Sequence, residues 1–366
     1  MEKKTGSSAA ADTALPPNAA PASGGAERIA FIELLRVMAC FLVIVNHTAA
    51  TGFLYNHPSP TWFCSVVWFF LSKAAVPVFL MITGAMLLKK ADTPRKAFRR
   101  FYRVFVVFFV GSAGYFIYYE RLSGEPASLS GFLQKFFSGG QATNAYWYFY
   151  LYLALLCSMP LLQKMAAALG KKEVLWLLVL SLGLVGGMQL YNAVTPWRLG
   201  VLSADGLLSP YIGMLFAGYY LEAYTAPGRR GFFAAGGVLA LLLAAQTAGT
   251  WQLYYTEPEK ILAFDLRTSP LVVGSAICLW IMVRYLFAAV SLPAWLHKAI
   301  CWLGSLTFTV YLVSDLIIQQ TQPLFELLRA GLPLFAALVV WEVLVFALCA
   351  AIAALLRAVP FLRKWL

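Results

Sequence analysis

The sequence is poor in charge: only 12% of its 366 residues are Asp, Glu, Lys or Arg, and only three are histidine. Soluble chains carry about 25% charged residues. Hydrophobic residues make up 61% of the chain, and the mean hydropathy is +0.74. So little charge excludes the soluble, intrinsically disordered and fibrous classes, and it indicates a polytopic membrane protein.

Paired cysteines are also lacking. All six cysteines lie in apolar runs, and no two of them form a C-x-x-C pair. This pattern predicts small buried hydrophobic residues, and it argues against a disulfide framework, a zinc site or another resident metal. The six are Cys40, Cys64, Cys157, Cys278, Cys301 and Cys349.

Long apolar runs fill most of the chain. A membrane-spanning helix needs about 20 mostly apolar residues, because the hydrocarbon core is about 30 Å thick. Ten runs reach this length, so the predicted fold is an all-α polytopic membrane protein with about ten transmembrane helices. The runs cover about 29–50, 62–88, 101–119, 146–163, 173–190, 207–224, 231–249, 270–290, 300–321 and 333–356.

The first 27 residues differ from the rest. They are rich in Ala, Pro, Ser and Gly, and they contain no apolar run. We therefore expect residues 1–27 to form a disordered cytoplasmic tail and not a signal peptide, followed by one transmembrane domain over 28–366.

Basic residues outnumber acidic ones by 28 to 16, which gives a formal net charge of +12. With the N-terminus inside, 20 of the 28 fall in inner segments, six in outer loops and two within spans. This distribution follows the positive-inside rule. We therefore predict that both termini are cytoplasmic, and the charge excess requires no nucleic-acid partner.

Charged side chains within the membrane are costly, which makes them functional candidates. In the first predicted span, Glu33 and Arg36 are three residues apart and can pair on one helix face. His47 lies on the same stripe, about 16 Å further toward the outside than Arg36. A structural ion pair with an interfacial histidine fits this spacing as well as a catalytic group does. A neutral imidazole at His47 can act as a general base near pH 7.

Three other residues of the spans are further candidates for substrate binding. Lys73 lies midway along the second predicted span, where it can neutralise a carboxylate such as Glu342 or contact an anionic ligand. Asp315 makes the outer half of the ninth predicted span polar, and Trp147 belongs to an aromatic stretch typical of the membrane interface. Interhelical hydrogen bonding or interfacial anchoring explains each of them more simply than direct chemistry does.

The densest charge in the chain is the cluster KKADTPRKAFRRFYR, residues 89–103. Topological anchoring and attraction to anionic lipid account for such a cluster on the cytoplasmic side. A phosphate site is the alternative reading, because guanidinium groups bind phosphate oxygens in pairs. Its candidate ligands are Arg99, Arg100 and Arg103, at the start of the third predicted span.

Four stretches of the sequence form a recognisable combination. IELLRVMACFLVIVNH has an acidic residue, an arginine and, after ten further residues, a histidine. The others are VPVFLMITGAMLL (76–88), FRRFYRVF (98–105) and LGSLTFTVYLVSD (303–315). Together they resemble the bacterial membrane acyltransferase family 3, whose members move acyl groups from acyl-CoA to cell-surface sugars and related acceptors. The second stretch is similar to that family's P-x-F-F-x-x-S-G, with Thr83 for the serine, the third to its paired-arginine motif, and the fourth to its G-x-x-S-F-x-x-Y-L-x-H.

The resemblance implies roles for individual residues. His47 would be the catalytic histidine, and Arg36, held by Glu33, would lie beside the acyl-donor channel. Arg100 and Arg103 would contact the phosphates of CoA. The implied protein is an acyl-CoA-dependent O-acyltransferase of the bacterial inner membrane, with acetyl-CoA as the expected co-substrate and a sugar or polysaccharide hydroxyl as the acceptor.

One departure from the family pattern leaves a second function open. Ser314 stands where many members carry a histidine, which removes a possible second proton-transfer residue. An exporter of a small polar molecule or polysaccharide is therefore the alternative, and a membrane scaffold is a further one. For an enzyme, we expect the acceptor site in outer loops such as 120–145, 191–206 and 250–269. Their aromatics suit sugar faces and lipid interfaces alike: Trp197, Trp251, Tyr254 and Tyr255.

Overall fold

The computed structural model describes residues 25–140, 143, 145–196, 199–200 and 206–365. Residues 1–24 of the predicted disordered tail lie outside the described residues. Over the described ranges the regular elements are helices, with no β-strand. Nine segments in these ranges are long and apolar enough to cross a membrane. The predicted all-α polytopic membrane fold is confirmed.

The described part of the chain forms fifteen α-helices, and a π-helical turn over Val179–Val185 joins α7 to α8 into one span. In chain order the helices are α1 (Gly25–Thr48), α2 (Pro60–Ser72), α3 (Ala75–Leu87), α4 (Pro94–Ser123), α5 (Leu129–Phe137), α6 (Trp147–Ala168), α7 (Lys171–Leu178), α8 (Gly186–Val194), α9 (Pro210–Tyr224), α10 (Arg229–Thr256), α11 (Pro270–Ala289), α12 (Ala294–Gln320), α13 (Gln322–Gly331), α14 (Leu334–Ala358) and α15 (Pro360–Arg363).

The run predicted at 207–224 is shorter than a full span. It forms α9, whose 15 residues extend about 22 Å, less than the hydrocarbon core. Its last turn still lies at the predicted inner side, because Glu222 is 4.0 Å from Lys89 and 3.8 Å from Arg284. The expected full-length span is therefore corrected to a short helix whose end lies at the predicted inner side.

The second predicted span, 62–88, is two helices and not one. Because α2 ends at Ser72 and α3 begins at Ala75, Lys73 lies in the break between them. Pro77 is in the first turn of α3, where its missing N–H costs no intrahelical hydrogen bond. The break therefore places a lysine midway along a membrane-spanning segment.

The backbones of α3 and α9 are in direct contact. A Cβ added to Gly84 would lie 1.8 Å from the Leu215 carbonyl oxygen, and one added to Gly218 would lie 1.9 Å from the Met81 carbonyl oxygen. Backbone atoms cannot move aside, so only glycine fits at these two positions. This double contact fixes α3 in the centre of the bundle.

Helices α1 and α12 pack side by side and run in the same direction, from the predicted inner side to the predicted outer side. Near their inner ends, a Cβ added to Gly304 would lie 2.1 Å from Glu33 Oε2. Further along, Cys40 Sγ donates a hydrogen bond to the Thr307 carbonyl oxygen at 3.4 Å. The α1–α12 seam thus carries polar contacts through an otherwise apolar bundle.

The expectation that all six cysteines are buried is wrong. Cys40, Cys278 and Cys349 are buried, but Cys64 and Cys157 are exposed. Both exposed thiols lie on membrane-spanning segments, where lipid can surround a small apolar side chain as well as protein does. All six cysteines are free.

Candidate active site

The ion pair predicted on the first span is present in α1. Arg36 Nη1 donates to Glu33 Oε1 at 2.6 Å. Glu33 Oε2 is buried and has no hydrogen-bond partner among the described residues. Because Gly304 has no side chain, the Glu33 carboxylate can occupy the space beside it. The pair holds the Arg36 guanidinium at the wall of an internal cavity.

This central cavity has a volume of about 390 Å³ and lies between α1, α3, α4, α6 and α12. Its charged lining consists of Arg36, Arg100 and Arg103. The remaining wall is mainly aromatic and apolar, and it includes Phe79, Ile82, Thr83, Tyr148, Tyr152, Phe308 and Tyr311. Such a cavity suits an elongated, uncharged segment of a ligand that also carries anionic groups.

A second pocket, of about 660 Å³, lies at the predicted inner side. We call it the basic pocket, since its described lining has five cations and two aromatics but no acidic residue: Lys96, Arg99, Arg100, Tyr102, Arg103, Lys364 and Trp365. Arg100 and Arg103 line both this pocket and the central cavity. The two spaces therefore meet at these arginines.

Arg100 is anchored by a network that reaches α6. It donates to Asp92 Oδ2 at 3.0 Å, and the buried Gln163 side chain donates to the same oxygen at 2.9 Å. The Gln163 oxygen also accepts from the Asp92 N–H at 3.1 Å. The hydrogen bond from Gln163, followed by that from Arg100, holds the pKa of Asp92 below its usual value. Asp92 therefore stays ionised and fixes one guanidinium nitrogen at the mouth of the cavity.

Arg103 is held by a segment that is distant in sequence. Its Nε donates to the Trp365 carbonyl oxygen at 3.0 Å, across 262 positions of the chain. The ring centres of Trp365 and Tyr102 are 6.2 Å apart. The residues after α15 therefore return to α4 and complete the basic pocket.

His47 lines a chamber of only about 20 Å³, which we call the His47 chamber. Its other lining residues include Asn46, Lys73, Trp147, Arg267 and Tyr311. Tyr311 also lines the central cavity, so this side chain stands between the two spaces. A volume of this size accommodates a group no larger than about one water molecule.

Two cations flank the His47 chamber. Lys73 Nζ lies 2.6 Å from Asp265 Oδ1 and 3.9 Å from the centre of the Phe69 ring. The Arg267 guanidinium lies 4.2 Å from the centre of the Trp147 ring, which is a cation–π contact. The chamber therefore combines one imidazole with two positive charges.

The expected pairing of Lys73 with Glu342 is wrong. The buried Glu342 carboxylate accepts hydrogen bonds from Thr48 Oγ1 at 2.7 Å and from Trp68 Nε1 at 2.8 Å. Lys73 instead pairs with Asp265, on the α10–α11 connection that hydropathy places outside the membrane. This connection reaches inward far enough to neutralise the lysine at the helix break.

Asp315 lies one helical turn beyond Tyr311 on α12. Gln319 Nε2 donates to Asp315 Oδ2 at 2.8 Å and to the Tyr119 hydroxyl at 2.6 Å. Next to Asp315, the Tyr115 hydroxyl accepts from the N–H of residue 316 and donates to the carbonyl of residue 312. This hydroxyl therefore bridges two backbone groups of α12 beside Asp315 and ties α4 to that helix.

Comparison with known proteins agrees with this geometry. A family model described as an acyltransferase domain, that of acyltransferase family 3, matches residues 29–363. The chain belongs to acyltransferase family 3. No curated protein and no solved structure matches it significantly. Membership supports a membrane acyltransferase and confirms the resemblance seen in the four sequence stretches.

The four stretches of this family 3 protein meet around one space. Each contributes at least one side chain to the central cavity: Arg36 from the first, Thr83 from the second, Arg100 and Arg103 from the third, and Tyr311 from the fourth. These residues come from four different helices, α1, α3, α4 and α12. The fold therefore brings the family motifs into a single site.

Other predicted site residues of this family 3 protein do not line the central cavity. Arg99 lines the basic pocket, whereas Lys73 and Trp147 line the His47 chamber. Asp315 is bound to Gln319, further out on α12. Ser314 is buried and donates its hydroxyl to the Tyr311 carbonyl oxygen at 3.0 Å, so it serves its own helix.

Several residues at the site of this family 3 protein were missed from the sequence. Asn46 Oδ1 is buried at the His47 chamber and has no hydrogen-bond partner among the described residues. Its position directly before His47 in the sequence could have marked it as a site residue. Arg267 and Asp265 belong to the predicted outer loop 250–269, and Trp365 follows the last helix. No local pattern marks these three, because their roles depend on long-range packing.

Proposed function

We propose that this protein is an acyl-CoA-dependent O-acyltransferase of the bacterial inner membrane. It moves an acyl group, which we expect to be acetyl, from cytoplasmic acetyl-CoA to a hydroxyl of a cell-envelope sugar or polysaccharide. The observation that carries the proposal is a series of three neighbouring spaces that share lining residues. The basic pocket joins the central cavity at Arg100 and Arg103, and the cavity reaches the His47 chamber at Tyr311.

The donor fits the inner part of this series by its chemistry. Its nucleotide phosphates are anionic and match the five cations of the basic pocket, where arginines can bind phosphate oxygens through two N–H groups. The Trp365 and Tyr102 rings offer flat faces for its base. Its uncharged pantetheine arm matches the apolar and aromatic wall of the central cavity. The thioester at the end of the arm would then lie near Tyr311.

The reaction requires a base on the far side of Tyr311. His47 accepts the proton of the acceptor hydroxyl, and the oxygen attacks the thioester carbonyl carbon. The new C–O bond forms, the C–S bond breaks, and the thiolate of CoA takes the proton from the imidazolium of His47. No other reactant is consumed, and the products are the ester and free CoA.

Positive charge near His47 supports the transition state. The tetrahedral intermediate of acyl transfer carries a negative oxygen, which preorganised cations stabilise strongly at a site with little water. Lys73 and Arg267 lie at this chamber, and the Lys73 charge is balanced by Asp265 in the resting state.

This series of spaces is less suited to export. A polysaccharide exporter needs a passage wide enough for a sugar ring, whereas the His47 chamber measures about 20 Å³ and Tyr311 separates it from the central cavity. The Tyr311 hydroxyl donates to the Ala145 carbonyl oxygen at 2.5 Å, which fixes the ring in this position. These observations favour the enzyme over the transporter.

Thermal stabilisation of the detergent-solubilised protein by acetyl-CoA tests the proposal. A ligand at 100 times its Kd stabilises the folded state by about 2.7 kcal/mol, which raises the Tm by a few degrees. We expect this shift in the wild type and in Arg95→Ala, a cluster residue outside the lining of the basic pocket. We expect it to be lost in Arg100→Ala/Arg103→Ala. No shift of the wild type with any acyl-CoA would overturn the proposal in favour of transport.

A further inference from the structure

A third pocket lies at the outer end of the α1–α12 seam, and its volume is about 600 Å³. We call it the outer groove. It is lined from three directions: Tyr55 and Asn56 after α1, Gln319 at the end of α12, and Gln322 and Glu326 on α13. Neither the donor path nor the outer loops expected to hold the acceptor include these residues.

We propose that the outer groove is the binding site of the acyl acceptor and that it holds a sugar ring whose hydroxyl reaches His47. This inference rests on the proposed acyltransferase function. It assigns to that function the second substrate site, on the side of the protein opposite to the basic pocket.

The position of the groove relative to His47 is the first argument. Thr51 lines the groove and follows His47 by four residues, and Gln319 lines it and follows Asp315 by four residues. Four helical residues correspond to about 6 Å along the axis. Since α1 and α12 run outward together, the groove begins one turn beyond His47. A ligand held there therefore lies about one helical turn beyond the histidine along the chain.

The chemistry of the lining is the second argument. Sugars present ring faces of C–H groups and many hydroxyls, each of which donates and accepts hydrogen bonds. The groove supplies amides from Asn56, Gln319 and Gln322, and a carboxylate from Glu326, which serve hydroxyls in both directions. Tyr55, at 88% exposure, presents an aromatic face at the rim. A lipid chain would leave these polar groups unmatched.

The floor of the groove is rigid, which suits a binding site. The Phe325 and Trp341 rings stack at 4.8 Å between centres, and Trp341 Nε1 donates to Thr321 Oγ1 at 2.9 Å. Gln319 is held by its hydrogen bond to the Tyr119 hydroxyl at 2.6 Å. The polar groups above this floor are therefore placed before a ligand arrives, and little ordering is needed on binding.

The test separates acceptor use from donor use. A strain without the gene is complemented with Tyr55→Ala, Glu326→Gln or Gln322→Trp, and the O-acetyl content of its envelope glycans is measured by mass spectrometry. Leu327→Ala is the matched control, since Leu327 neighbours Glu326 on α13 but lies outside the groove lining and is 71% exposed. Trp251→Ala represents the competing outer-loop location.

We expect the three groove variants to lower glycan acetylation at least fivefold, while acetyl-CoA still stabilises each purified variant as it does the wild type. Leu327→Ala and Trp251→Ala should acetylate glycans normally. Normal acetylation by all three groove variants, or a loss confined to Trp251→Ala, would overturn the inference and leave the acyltransferase intact. If the wild type itself neither binds acetyl-CoA nor acetylates glycans, it is the proposed function that fails.

Discussion

The two ends of the series of spaces hold their cations in different ways. At the inner end two of the three cavity arginines have acidic partners close in sequence. Glu33 holds Arg36 from three residues away at 2.6 Å, and Asp92 holds Arg100 from eight residues away at 3.0 Å, whereas Arg103 is held by the Trp365 carbonyl oxygen across 262 positions. The two ion pairs lie within short stretches of chain, so they depend less on the packing of distant segments than pairs between remote residues do.

At the His47 end the partners come from distant segments. Lys73, in the break between α2 and α3, pairs with Asp265, which precedes α11. Arg267 lies over Trp147, the first residue of α6. These contacts exist only when several helices are packed correctly. The comparison implies that changes at the outer end disrupt the protein most, whereas changes at the inner end mainly alter donor affinity.

Lys73→Ala has the largest expected effect. Removing one member of a buried ion pair leaves the other charge uncompensated, and we expect a loss of about 2 kcal/mol because Asp265 is partly exposed. Glycan acetylation should fall at least a hundredfold, and the Tm should fall by several degrees. Lys73→Met/Asp265→Asn should recover the Tm but not the acetylation. Acetylation by Lys73→Ala at the wild-type level would contradict a role for this cation near His47.

Gly304→Ala should have the next largest effect. The added Cβ would lie 2.1 Å from Glu33 Oε2 and 2.9 Å from Glu33 Cβ, so the carboxylate must shift away from Arg36. Overpacking of this kind costs about 1–3 kcal/mol. We expect acetylation to fall about tenfold. Gly237→Ala, at a site with open space around the glycine, is the control, and equal activity of the two variants would show that the Glu33–Arg36 geometry is unimportant.

Gln163→Ala should have a smaller and more selective effect. Without the Gln163 amide, Asp92 loses two hydrogen bonds, and the Arg100 side chain that it positions becomes mobile. We expect the KM for acetyl-CoA to rise about fivefold with little change in kcat. Gln246→Ala, a buried glutamine on α10, controls for lost packing. A fall in kcat with an unchanged KM would contradict a role at the donor end.

The smallest expected effect is that of pH on donor binding. Because Gln163 and Arg100 lower the pKa of Asp92 below its ordinary value of 3.8, the carboxylate stays charged at neutral and mildly acidic pH. Its contribution is present above the ordinary pKa and is lost as the pH falls through the lowered pKa. The acetyl-CoA affinity of Asp92→Asn and of the wild type should therefore show the same pH dependence between pH 5 and 8. Divergence of the two curves in this window would show that Asp92 titrates there.

The sequence predicts the parts of this protein that depend on local patterns. The length of the apolar runs located the nine segments of the described chain that can cross a membrane. The three-residue spacing between Glu33 and Arg36 predicted their ion pair. The basic pocket was anticipated in Arg99, Arg100 and Arg103, because they are adjacent on one helix.

The parts that depend on packing could not be predicted. A continuous apolar run concealed the helix break at Lys73, and the choice of Asp265 over Glu342 as its partner depends on how far a connecting segment reaches inward. The Trp365 carbonyl oxygen accepts a hydrogen bond from Arg103, 262 positions away in the chain, and no local sequence pattern predicts a contact between residues so far apart. The short surface helix α13, which forms one side of the outer groove, was hidden between two apolar runs.

We propose that donor binding and chemistry occur at opposite ends of this series of spaces, with His47 as the base. The most direct test is His47→Ala, measured for both acetyl-CoA stabilisation and glycan acetylation, with His57→Ala as the control. Loss of a general base costs a factor of about 100 to 10,000. We expect that His47→Ala binds acetyl-CoA like the wild type but acetylates at least a hundredfold less, whereas His57→Ala does both normally. Wild-type acetylation by His47→Ala would contradict it.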